Sequence, residues 1–512
     1  MTQANTKQTS LSQRLLDAVE RLGNKVPHPA VLFFMLMGVV IVLSLVLQWA
    51  GVSVDYQRIN PETHEAEYVT TAVRSLLGAE GLRFMFTSVV PNFINFGPVG
   101  IIMVAMIGVG LAERSGLIGA LIRKIVLVAP RSAITAIIVT LGLLSSIATD
   151  AGYLVLIPLG AAAFASIGRH PLVGLAAAFA GVAAAFGVNF LVVPIDGILA
   201  EMTNDAIHLV DPSKSIDITA NFYFGLASSA LLIAVCTILT DRFIEPRMGK
   251  YTGEVPVSQG DGMSAQESRG LVWALVAAVA VVVMVVLLTA PSGAPLRNPE
   301  TGAILGRSPF MDSLVFLITI VCLATGVAYG VGSGSIKSVN QAIDFVTRSI
   351  ADLAGLLFLF FVISQFVAYF NYSNMGTILA VWLANLLKDA NPGSIPLLAA
   401  FLIIGLILSI PVPNVIPKWA IIAPVFVPLF MKLGIAPDVV LAAYRVSDSP
   451  PNVINPLLPH FALVVGFAQR YVKSAGVGTI VAMMLPYAVV TFVAWSALFF
   501  AWYLLDLPFG PG

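Results

Sequence analysis

Arg445 and Asp448 stand three residues apart in a largely apolar stretch, LAAYRVSDSPPNVINP. On a helix that spacing puts a guanidinium and a carboxylate on one face, where they can pair. One reading is a structural ion pair that lets the helix sit inside a bundle. The other is functional, because helical periodicity fails immediately afterwards at 449–456, where three prolines fall. Helix ends exposed at such a break offer N–H groups to an anion and C=O groups to a cation. In that reading Arg445 binds a substrate carboxylate, and Asp448 ligates a coupling cation or carries a proton, so the coupling ion is H+ or Na+.

Further polar groups lie in similar settings. Asp150 sits beside Ser145, Ser146 and Thr149, either capping a helix or contributing to an ion site. Asp196 follows Pro194 in another interrupted apolar run, as an emerging helix end or as a proton carrier in contact with substrate. Asn414, Asn452 and Asn455, with Asn189 earlier in the chain, offer carbonyl oxygens for Na+ or satisfy broken backbone; Asn414, Asp448 and Asn455 mark a candidate Na+ position. Trp419 belongs either to an interfacial belt or, deeper, to a face that stacks on an aromatic substrate. Neighbouring Lys418 either snorkels or faces a cavity, and His460 reads as a packed or pore-lining group.

These residues need a membrane frame to hold them. The 512 residues are 58% hydrophobic and 11% charged, against roughly 25% charge in soluble domains. Formal net charge is +0, which gives no bulk argument for nucleic acid. Cys236 and Cys322 both sit in apolar runs and suggest packing rather than a disulfide or metal framework. Nucleophile elbow, zincin and phosphate-loop patterns are absent from the sequence. The chain therefore reads as an all-α polytopic membrane protein, without a cofactor and not an enzyme.

Spans are expected near 30–52, 84–111, 222–239, 271–289, 312–331, 353–369 and 476–504. Polar loops are expected up to 82 and over 201–221, an interfacial helix over 112–129, and a Gly/Ser-rich linker over 249–268. Two runs, 132–167 and 397–434, are interrupted at SSIATDAG and IPVPNVIPKW and suit re-entrant hairpins. Each precedes a broken helix, over 171–199 and 435–461. Proline-broken backbone at membrane depth must be satisfied inside protein or along a watery cavity. With the amino terminus inside and neither hairpin crossing, about nine spans result and the carboxyl terminus lies outside. Seventeen of the 27 Lys and Arg residues then fall inside, in keeping with the positive-inside rule.

Setting residue n against n+266 pairs Tyr153 with Trp419, Pro158 with Pro424, Gly168 with Gly434, Pro171 with Pro437 and Asn189 with Asn455. Both copies read as hairpin, Gly-x-x-Pro turn, broken helix. Entry from opposite sides makes this an inverted repeat, with the breaks facing each other at mid-membrane. The corresponding division is 1–130 (scaffold), 131–200 (first repeat), 201–394 (scaffold), 395–472 (second repeat) and 473–512 (last span). An ion-coupled transporter of an aromatic carboxylate fits this plan. Na+-coupled transport of another carboxylate is the alternative, and a channel gives no reason for two opposed hairpins.

The stretches GNKVPHP, GLAERSGL, TDAGYLVLIPLGA, NFLVVPID, TDRFIEPRMG, PKWAIIAPVFVPLF and RVSDSPPNVINPL, spread over nearly the whole chain, resemble the aminobenzoyl-glutamate transporter family. The resemblance implies an elevator-type homodimer in the bacterial inner membrane with nine spans and two hairpins. It implies transport of p-aminobenzoyl-glutamate, with some members exporting sulfonamide antimetabolites. It also places the functional residues at Asp196, Trp419, Pro437, Arg445, Asp448 and Pro456. Thr149 stands where the family pattern has serine, keeping the hydroxyl.

Overall fold

The computed structural model describes residues 29–59, 66–147, 152–249, 251, 263–305, 308–390 and 393–511. Asp150, Thr149 and most of the expected linker at 249–268 lie outside them. Among the described residues, eight helices are long and apolar enough to cross a membrane: Pro29–Trp49, Gly97–Arg114, Phe222–Met248, Ala265–Thr289, Leu314–Ser333, Ala354–Tyr372, Val415–Lys432 and Val477–Leu504. Val415–Lys432 is 72% buried over its apolar window, against 11% for Ala265–Thr289. It is packed within protein.

Several boundaries differ from expectation. The run at 84–111 is three pieces, Ala79–Thr87, Val89–Ile94 and Gly97–Arg114, because Gly97-Pro98 opens a new helix where proline is tolerated. The loop expected from 201 begins only after Pro194–Ile207. Ser264 closes the linker, capping Ala265–Thr289 in a reciprocal box with Glu267. The fold is also not purely helical. Ser53–Ile59 and Ala66–Ala72 pair as an antiparallel ribbon, their Val54, Tyr56, Tyr68, Val69, Thr70 and Thr71 being strand formers.

The first hairpin consists of Ile134–Leu144 and Gly152–Ser166, and the second of Ser394–Leu408 and Val415–Lys432. A 15-residue arm reaches about 22 Å, short of the roughly 30 Å hydrocarbon core. Each hairpin ends in a left-handed glycine, Gly168 at φ +79° and Gly434 at φ +80°. The same backbone bond closes each turn, Arg169 N–H to Phe164 O and Ile435 N–H to Phe430 O, both 2.9 Å. Pro171 and Pro437 then open the broken helices, Pro171–Ala184 with Pro194–Ile207, and Pro437–Asp448 with Phe461–Gln469.

Core packing crosses between residues 131–200 and 395–472. The first hairpin shares one apolar cluster with Pro171–Ala184 and with Phe461–Gln469 of the other repeat. The second hairpin shares another with Pro437–Asp448 and with Pro194–Ile207. At its base the first hairpin is tied to Phe222–Met248. Arg169 donates to Asp241 at 2.6 Å and to both Glu245 oxygens at 2.7 and 2.5 Å, while its guanidinium lies 4.0 Å over the Phe164 ring. Elsewhere glycines set the approach: a Cβ at Gly108 would strike the Thr319 backbone, and one at Gly326 the Ala112 backbone. Small residues at such crossings supply the close packing that drives helix association in lipid.

Candidate functional site

The hairpin tips are fastened to the breaks by one bond pattern, used twice. Asn189 donates from Nδ2 to Leu143 O at 3.2 Å, and its Oδ1 accepts from Leu191 N–H at 3.1 Å. Asn455 donates to Ser409 O at 2.8 Å and accepts from Leu457 N–H at 3.0 Å. Every member of the second set lies 266 residues after its counterpart. These two amide oxygens each accept one backbone bond, because each break leaves N–H groups that need an acceptor.

The two breaks also meet. Gly187 N–H donates to Ser449 Oγ at 2.8 Å, and a Cβ at Gly187 would stand 2.6 Å from that hydroxyl. Beside this contact Arg445 Nη1 lies 2.6 Å from Asp196 Oδ1 and 3.3 Å from Gly187 O. Asp196 Oδ2 accepts from Val193 N–H at 2.8 Å, closing the first turn of Pro194–Ile207. Arg445 thus pairs with the start of Pro194–Ile207 and not with Asp448. Asp448 is held by Lys418, whose Nζ lies 2.7 Å from Asp448 Oδ1 and 2.5 Å from Ser409 Oγ. Both side chains are 1% exposed, so Lys418 neither snorkels nor faces a cavity.

Trp419 is fully buried, donating from Nε1 to Thr203 Oγ1 at 3.1 Å. Its face is already taken by Tyr444, at 4.4 Å between centroids and 28° between planes. The Tyr444 hydroxyl donates to Val415 O at 2.5 Å and sits 3.3 Å from Asp448 Oδ1. Tyr444 and Thr203 escaped the sequence reading. Tyr444 alone carried a signal, an i, i+4 spacing to Asp448.

A cavity of about 240 Å³ lies where both tips, both breaks and two scaffold helices converge. Ser146 and Tyr153 reach it from the first hairpin, Asn414 and Ile416 from the second, Pro194 and Ile198 from the first broken helix, and Asn452 and His460 from the second. Met106 and Leu356 close it from the scaffold. Asn414 also caps Val415–Lys432, accepting from Ile416 N–H at 3.2 Å. Asp196 and Arg445 line a separate crevice with Asn189 and Trp495. Pro437, at a helix start, and Pro456, beside Asn455, line neither space. Two buried acceptors near the second break, Asp448 Oδ2 and Asn452 Oδ1, have no hydrogen-bond partner among the described residues.

A central cavity between broken helices and helical hairpins in an apolar bundle is the plan of a membrane transporter. The chain belongs to the AbgT putative transporter family, which it matches over residues 14–512. It is 33% identical to the p-aminobenzoyl-glutamate transport protein of Escherichia coli (strain K12), over 100% of this chain and 99% of that one. Among solved structures it is similar to the Alcanivorax borkumensis YdaH transporter, at 38% identity and a TM-score of 0.88, covering 95% of this chain and all of that one. It is also similar to Neisseria gonorrhoeae MtrF, described as illuminating a class of antimetabolite efflux pumps. There the values are 37% identity and a TM-score of 0.90, covering 98% of this chain and all of that one.

Proposed function

We propose that this transporter moves p-aminobenzoyl-glutamate or a related aromatic carboxylate, driven by an ion gradient. The observation that carries the reading is the cavity enclosed by both hairpin tips and both breaks, with two buried ion pairs beside it. Arg445, in the crevice beside that cavity, supplies a guanidinium whose fork suits a carboxylate. A substrate carboxylate competes with Asp196 for it, and release of Asp196 links substrate binding to proton uptake. Asp448 Oδ2 and Asn452 Oδ1, with Asn414 nearby on the cavity wall, are the acceptors that favour Na+ as the alternative coupling ion, since Na+ takes oxygen ligands at such breaks. Trp419 acts by holding the second hairpin against Pro194–Ile207 through Thr203.

The inverted arrangement is supported by the crossed packing. Each hairpin sits with the first half of its own broken helix and the second half of the other, as opposed entry requires. On this reading the core, 131–200 with 395–472, moves against the remaining scaffold as an elevator. The protein is then a nine-span homodimer in the bacterial inner membrane, with its amino terminus inside and its carboxyl terminus outside. The likeness to a protein of an antimetabolite efflux pump class supports an outward direction, with sulfonamides the cargo that the family resemblance implies.

Uptake of labelled p-aminobenzoyl-glutamate into proteoliposomes tests this, with Na+ and H+ gradients imposed separately. Saturable accumulation above equilibrium under one gradient supports coupled transport. Passive, non-saturating flux would instead make the protein a channel.

A further inference from the structure

Tyr153 and His460 are stacked face to face, with centroids 4.2 Å apart and planes 9° from parallel. They come from opposite repeats, Tyr153 from the second arm of the first hairpin and His460 from the break of the second broken helix. Both line the central cavity. Tyr153 is only 5% exposed, one face covered by the imidazole and its flank met edge-on by Phe179 at 6.4 Å. His460 is half-buried and lines the space.

We propose that this pair is the platform that recognises the ring of the substrate, which stacks on His460 with Tyr153 as backing. The inference rests on the aromatic-carboxylate reading above and adds the ring-binding residues to it. Within the 266-residue register Tyr153 is the counterpart of Trp419. Trp419 is fully buried against Tyr444, whereas Tyr153 and His460 both line the cavity. An offset stack of aromatic rings gives a modest, geometry-dependent gain beyond burial. The rest of the wall named above is mostly aliphatic, with Pro194, Ile198, Leu356 and Met106, which suits the edges of a flat ring. The volume, about 240 Å³, sits just below the roughly 300 Å³ at the low end of sites for drug-sized ligands. It has room for one small ring-bearing molecule.

The test compares two ligands with the same glutamate head, p-aminobenzoyl-glutamate and N-acetyl-glutamate, by calorimetry on the full-length protein in lipid nanodiscs. The native protein is expected to prefer the aromatic ligand. His460→Leu should weaken the aromatic ligand roughly three- to tenfold while leaving N-acetyl-glutamate within twofold, and His460→Phe should restore the preference. Equal losses for both ligands in His460→Leu, or failure of His460→Phe to restore the preference in a monodisperse protein, would overturn the platform. Tyr153→Phe provides a milder check, since it keeps the backing ring, and loss of the preference there also counts against it. If native protein binds neither aromatic carboxylates nor N-acetyl-glutamate, the functional reading itself fails and the platform falls with it.

Discussion

Arg445 and Asp196, 249 positions apart in the chain, meet at 2.6 Å and join the two broken helices. Their side chains are only 9% and 14% exposed, so neither charge has bulk water to replace its partner. Removing one member of such a pair typically costs about 3–5 kcal/mol, because the other is left buried and uncompensated. Arg445→Met should therefore lower stability by about that much, and Arg445→Met with Asp196→Leu should recover most of the loss. A double-mutant cycle read by thermal unfolding in detergent decides it. Additive losses would mean that the two residues act independently.

Lys418 and Asp448 form a second buried pair, sealed against Ser409 and Tyr444. With proton coupling assigned to Asp196, Asp196→Asn is expected to abolish gradient-driven accumulation in proteoliposomes while keeping substantial equilibrium binding of substrate, and Asp448→Asn to accumulate normally. Normal accumulation in Asp196→Asn together with failure of Asp448→Asn would move coupling to the second broken helix. If both variants accumulate normally, the carboxylates are scaffold.

His170 gives a pH-dependent cap at the start of Pro171–Phe179, where its Nδ1 accepts from Leu172 N–H at 3.2 Å. Burial pushes the imidazole below its usual pKa of 6.5. The native state therefore holds the neutral ring, and the unfolded chain binds the proton first. Stability from this group is present in full above about pH 6.5 and falls as the pH drops below it, until the native ring also titrates. His170→Asn keeps a capping acceptor without the titration. The acid-side decline in melting temperature should be shallower in that variant, and an unchanged decline would place its origin elsewhere.

Membrane sidedness can be read at the ends of the first hairpin. Arg131 and Ser166 are exposed there, whereas Arg169 is engaged by Asp241 and Glu245 and is a poor site for replacement. Cysteines at Arg131 and Ser166 should react with an impermeant maleimide from the cytoplasmic side only. Labelling from opposite sides would mean that the segment crosses, and the inverted arrangement would be lost.

Much of the frame was legible because proline and glycine punctuate long apolar runs. The arms of the second hairpin, the glycines Gly168 and Gly434 and the equivalence of Asn189 with Asn455 could all be read from spacing. Partner choice could not. Helical spacing offered Arg445 to Asp448, but Asp448 ends its helix and is already taken by Lys418 of the hairpin. Arg445 is left to a carboxylate on another element. Trp419 shows the same limit, since its depth was evident but not which ring would cover its face. The ribbon at Ser53–Ile59 was hidden by its polar alternation, which resembles a loop in a chain dominated by apolar helices.

The buried Lys418–Asp448 pair has no charged counterpart in the 266-residue register. Lys418 and Asp448 correspond in register to Gly152 and Val182, and there the contact is apolar, a Cβ on Gly152 falling 3.0 Å from Val182 Cγ1. On the inverted reading proposed above, two halves with the same backbone plan exchange roles with little difference in main-chain energy. The preference between the exchanged arrangements then resides in the few side chains that break the likeness. Changing the resting bias of such a machine requires editing those positions, not rebuilding its hinges.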